Sequence, residues 1–139
     1  MGGRVGRFHG TYFPAGLGAP TAGQVFAVGD AAGQCLPLTG EGIRPAVYFG
    51  GICGALVQSV IDGCLSLEDA LEAYRRRVFA HRRAYRMLRA LQCAVQKMPG
   101  AWLGLVAELA NRPAIRRLWW PRYLSFGKEP VAWELPAGR

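Results

Sequence analysis

Val25-Phe-Ala-Val-Gly-Asp-Ala-Ala-Gly-Gln-Cys-Leu-Pro-Leu-Thr-Gly-Glu-Gly-Ile-Arg-Pro-Ala-Val47 is the stretch whose reading decides how this 139-residue chain folds. Val25 to Val28 has the composition of a short buried strand, Gly29-Asp30 forms a turn, and a glycine-rich loop follows. An apolar helix then opens near Gly42, with Pro45 tolerated in its first turn because the donor proline lacks would be unpaired there anyway. A strand handing over through a loop to a helix start points unpaired N–H groups and the positive end of the helix dipole at whatever lies in front of them. The expected ligand is therefore electron-rich or anionic.

Gly29-Asp30-Ala31-Ala32-Gly33, followed by Pro37-Leu38-Thr39-Gly40-Glu41-Gly42-Ile43, resembles the second flavin motif of the geranylgeranyl-reductase-like FAD-dependent oxidoreductases, relatives of the aromatic-ring hydroxylases. The resemblance implies an α/β fold: an incomplete, Rossmann-like FAD-binding domain fragment of one or two strands, followed by a mostly helical C-terminal region. It implies Asp30 as the contact to the ribityl chain of FAD, and Gly42 and Ile43 as backbone contacts to the pyrimidine edge of the flavin. Pro37, Gly40 and Glu41 then shape the loop around the cofactor. Glu41 is a candidate proton relay, although a carboxylate beside a helix start is already accounted for by the helix dipole. No residue is assigned a catalytic role and no metal is expected.

The implied activity is that of the C-terminal portion of an FAD-dependent oxidoreductase that reduces carbon–carbon double bonds of a prenyl substrate, with NAD(P)H as a candidate electron donor. A monooxygenase or halogenase would use a similar loop. The family's Gly-x-Gly-x-x-Gly unit for the ADP half of FAD has no counterpart here, since Gly2-Gly3-Arg4-Val5-Gly6 has no strand before it. The expected partner is accordingly a missing N-terminal ADP-binding half, in the same chain or in a separate subunit, without which this chain is not expected to be active.

Outward from the motif, residues 1–63 read as the C-terminal piece of the FAD-binding domain, 64–126 as the helical region and 127–139 as an irregular tail. Phe8 to Phe13 reads as a strand or an extended arm, and His9 as a structural or solvent-facing histidine. The small residues Ala46, Gly50, Gly51, Gly54 and Ala55 suit a helix packed closely on a sheet, and its apolar run is shorter than the roughly 20 residues a membrane span needs. Asp62-Gly63 ends that helix. Ser66-Leu-Glu-Asp69 is a capping box, and Leu71, Tyr74, Val78, Tyr85, Leu88, Leu91 and Val95 carry one helical apolar face toward Met98.

The other face of that helix holds eight basic residues between Ala73 and Met98 and no acid, in a chain of net charge +8. A solvated surface explains it. So does contact with anionic lipid headgroups, whereas nucleic acid lacks an accompanying aromatic-basic motif. A non-catalytic basic interaction protein, at a membrane surface or on nucleic acid, is the alternative from outside enzymology. Trp119, Trp120 and Tyr123 beside Arg116, Arg117 and Arg122 read either as core closure or as an interfacial belt, after short helices at 101–110 and 115–120. Four widely spaced cysteines offer no metal pair, and Cys53 and Cys93 read as buried free thiols. The default is a reduced, cytoplasmic chain with possible peripheral membrane contact.

Overall fold

The computed structural model describes residues 16–125. The arm at 8–13, His9 and the tail at 127–139 lie outside them. Strands β1 (Thr21–Ala22) and β2 (Val25–Phe26) come first, then a single 3-10 turn at Gly29–Ala32. Helices α1 (Ile43–Ile61), α2 (Leu67–Ala80), α3 (Arg82–Gln96), α4 (Gly100–Asn111) and α5 (Pro113–Ser125) complete the order.

This overturns the α/β expectation. Among the described residues the sheet has two strands, antiparallel, with Thr21 opposite Phe26 and Ala22 opposite Val25. Among these residues no Rossmann-like arrangement forms, and they are mostly helical. The reason is local: the residues just before Val25 close back through a two-residue Gly23-Gln24 turn, so β2 finds its partner next to it in sequence. Ala27 N–H extends the pairing to Pro20 O at 2.8 Å, and Val28 is extended outside the sheet before the chain turns at Gly29.

The core is the face between α1 and α2. Tyr48, Phe49 and Ile52 of α1 pack on Tyr74 and Val78 of α2, with Leu17, Phe26, Val28, Cys53 and Leu56 around them. Ser66 is the N-cap of α2, accepting from Asp69 N–H at 3.1 Å and donating its hydroxyl to Asp69 Oδ2 at 2.7 Å. The expected long helix is divided at His81, whose ring meets the edges of both Tyr48 and Phe49 at centroid distances of 5.5 and 5.4 Å. The cysteine reading is corrected in part: Cys93 is exposed and Cys53 half-buried, while Cys35, in the loop, is buried. The fifth helix runs through Pro121 instead of ending there. No helix among the described residues is long and apolar enough to cross a membrane.

Candidate functional site

The loop from Gly29 to Gly42 has almost no regular structure, and three helices fix its shape. Gln34 is fully buried inside it. Its Oε1 accepts from Gly29 N–H at 2.7 Å, and its Nε2 donates to Tyr74 Oη at 3.2 Å. Tyr74 in turn donates to Ala27 O at 3.0 Å, and Tyr85 Oη donates to Gln34 O at 2.6 Å. Further along, Gln92 Oε1 accepts from Leu38 N–H at 3.3 Å. Tyr74 reaches the loop from α2, and Tyr85 and Gln92, seven residues apart, reach it from one face of α3. Burial pushes both phenols above their ordinary pKa, so they remain hydroxyl donors throughout the physiological range.

Two backbone positions show how tightly the loop is drawn. Gly33 has φ +61°, and a Cβ there would sit 2.2 Å from Gly16 O. Leu38 has φ 73° without being glycine, a conformation that costs about 1–2 kcal/mol. It is held there immediately before Thr39-Gly40.

The loop and the start of α1 border an open surface cavity of about 390 Å³ lined by Asp30, Cys35, Gly40, Gly42, Ile43 and Ala46. Of the six candidate residues, Asp30, Gly40, Gly42 and Ile43 come together there. Gly42 caps α1 with no side-chain hydrogen bond, so the helix N-terminus opens beside the Asp30 carboxylate. A Cβ on Gly42 would lie 3.5 Å from Asp30 Oδ1 and 3.8 Å from Cys35 Sγ, and would fill this end of the cavity. Ile43, 83% exposed, stands at the wall with its side chain outside the core. Burial, then the charges of Asp30 and Glu41, push the Cys35 thiol up, so it faces the cavity uncharged.

Pro37 and Glu41 do not line the cavity. Pro37 is buried in the loop. Glu41 is held by Arg44, with Nε to Oε1 and Nη2 to Oε2 both at 2.8 Å, and it accepts from Tyr123 Oη of α5. The same guanidinium donates to Tyr123 O and Leu124 O at 3.2 Å each and lies 4.9 Å over the Tyr123 ring. The Arg44 hydrogen bond, then that from Tyr123, hold the Glu41 carboxyl below its ordinary pKa. The carboxylate thereby anchors the loop to α5. Neither Arg44 nor Gln34 was singled out by sequence reasoning. The i, i+3 spacing of Glu41 and Arg44 was the available signal for one; for Gln34, a glutamine in a glycine-rich loop carried none.

The basic face is only partly free. Arg75 donates to Thr21 Oγ1 at 3.0 Å and pairs with Glu72 at 2.9 Å, while Arg77, Arg82, Arg83, Arg86 and Arg89 are exposed. Among the described residues there is no cluster of potential metal ligands. Comparison of the chain with protein-family models, curated proteins and solved structures returned no significant match.

Proposed function

We propose that this chain is the flavin-contacting C-terminal portion of an FAD-dependent oxidoreductase acting on carbon–carbon double bonds of a prenyl substrate. The observation that carries the reading is the convergence of Asp30, Gly40, Gly42 and Ile43 on one cavity at an uncapped helix start. The donor set fits the ring and ribityl half of the cofactor. A carboxylate accepts from hydroxyls, the first N–H groups of α1 suit an electron-rich heterocycle edge, and the missing Cβ at Gly42 leaves room for a flat group.

Reduced flavin, if held here, would supply a hydride equivalent to one carbon of the double bond, with a proton reaching the other. The residues of this chain orient and stabilise. Asp30 fixes the position along the polyol, the α1 N-terminus favours negative charge on the heterocycle, and Ile43 offers an apolar wall. The cavity is far smaller than a whole dinucleotide needs, so the ADP half is held by residues other than these. The prenyl substrate rests on the Thr39-Gly40-Glu41-Gly42-Ile43 wording of the loop, and NAD(P)H is the corresponding donor.

Riboflavin tests this directly, because it carries the ring and ribityl chain without the ADP half. Its fluorescence should be quenched on adding the protein, and Asp30→Ala should weaken binding by about ten-fold, the worth of a hydrogen bond to a charged group. A chain that binds neither riboflavin nor FAD, or binds both equally well without Asp30, refutes the reading.

A further inference from the structure

The α4–α5 hairpin presents apolar surface on a scale the rest of the fold does not. No residue of α4 is buried. Trp102 is 58% exposed and Trp120 45%, and Leu103, Leu105, Val106, Leu109 and Ile115 are all exposed. Yet the hairpin has a defined shape. Trp119 Nε1 donates to Ala110 O at 3.1 Å, linking the two helices, and Trp120 stacks on Tyr123 at 5.8 Å. Tyr123 is the residue locked to Glu41, so the hairpin is tied to the loop that forms the cavity.

Charge and helix length choose its occupant. From Lys97 to Tyr123 the sequence holds one acid, Glu108, against Lys97, Arg112, Arg116 and Arg117 among the exposed side chains. Arg116 and Arg117 precede Trp120 by four and three residues, so cation and indole share one side of α5. Helices of 12 and 13 residues are too short to cross a bilayer, and their exposed indoles beside arginines suit the headgroup boundary, where such rings settle and guanidinium groups meet phosphates. A protein partner of ordinary composition would leave these arginines to be paired one by one; an anionic lipid surface supplies phosphate at every position.

We propose that the α4–α5 hairpin docks on an anionic phospholipid bilayer, and that the Glu41–Arg44–Tyr123 contact carries the cavity to the membrane surface with it. The inference does not depend on flavin binding. The 139-residue chain should co-sediment with vesicles containing phosphatidylglycerol and not with pure phosphatidylcholine, with a blue shift of tryptophan emission and weakening in salt.

Trp102→Ser with Leu105→Ser should lower partitioning by at least about ten-fold. Arg116→Gln with Arg117→Gln should lower it by about five-fold per charge removed on anionic vesicles only. These four side chains are exposed, and the arginine pair keeps the test intact if the apolar pair loses helicity by circular dichroism. Three results overturn the proposal. One is no preference for anionic vesicles. Another is hairpin variants that split a dimer of this chain while leaving vesicle binding unchanged. The third is binding to RNA in preference to lipid.

Discussion

The Gly29–Gly42 loop and the α4–α5 hairpin exchange the roles their sequences suggest. The loop is rich in glycine and polar residues, yet Ala32, Gln34 and Leu36 within it are essentially inaccessible to solvent. The hairpin is apolar and helical, yet nothing in α4 is buried. Order in the loop comes from hydrogen bonds delivered by α2 and α3, of which those to the Gln34 amide and carbonyl satisfy groups that would otherwise be buried unpaired. Order in the hairpin comes from its own helices, one indole bond and the attachment of Tyr123 and Leu124 to Glu41 and Arg44. Apolar composition provides the material for a core; a second layer against which to bury it is a separate requirement.

The largest test of this contrast is Gly33→Ala. A methyl group at φ +61° and 2.2 Å from Gly16 O cannot be accommodated without moving the Gly16–Gly18 segment. The expected loss is about 3–5 kcal/mol, a large share of the 5–15 kcal/mol typical of a domain, read by urea unfolding. Near-wild-type stability would show that the loop tolerates repacking and would end the contrast. Next comes Tyr74→Phe, which orphans Nε2 of the fully buried Gln34 and removes the donor to the part-buried Ala27 O. It should cost about 1–3 kcal/mol, and a neutral result would mean the network follows the packing instead of fixing it.

What sequence reasoning recovers here follows the range of the forces involved. The Ser66 cap, the Gly42 helix start and the Asp62-Gly63 stop are set by contacts within a few residues, and each appears where the pattern puts it. Position along the chain also brought Asp30, Gly40, Gly42 and Ile43 to one cavity. The failures are of longer range. Val25-Phe-Ala-Val28 has the composition of a buried parallel strand, but composition does not name a partner, and Thr21–Ala22 lay closest. Tyr74 and Tyr85 read as plain apolar-face residues because hydroxyl partners 40 and 51 residues away in sequence leave no periodic trace. The Glu41–Tyr123 contact left no trace for the same reason, since Tyr123 lies 82 residues further on.

Glu41→Gln sharpens the contrast at the point where the two regions meet. Its carboxyl is held below the ordinary pKa by Arg44 and Tyr123, so the ionised form stabilises the fold above the unfolded-state value of about 4.3. That contribution is lost as the pH falls through the lower folded-state value. Wild type should exceed the variant by about 1 kcal/mol at neutral pH, at the upper end for an ion pair with this much exposure. The two curves should converge in acid. Amides of α5 should exchange faster in the variant while those of α2 are unaffected, because the attachment, not the core, is what is cut. A uniform change across both helices would make the hairpin part of the cooperative unit.

Trp102→Ala is expected to have the smallest effect and decides the most about the hairpin. A large aromatic truncated in a core costs about 3–5 kcal/mol, and Phe49, fully buried between α1 and α2, is the position in this chain where that cost applies. Trp102 keeps more than half its surface in water, 58%, so its removal should change stability in urea by no more than about 0.5 kcal/mol. A much larger loss would mean that the indole is covered in the folded protein, by another copy or by chain outside residues 16–125, and that the hairpin already has its second layer. A small loss would leave the indole's apolar surface available to a partner, and separate what stabilises this fold from what the fold displays.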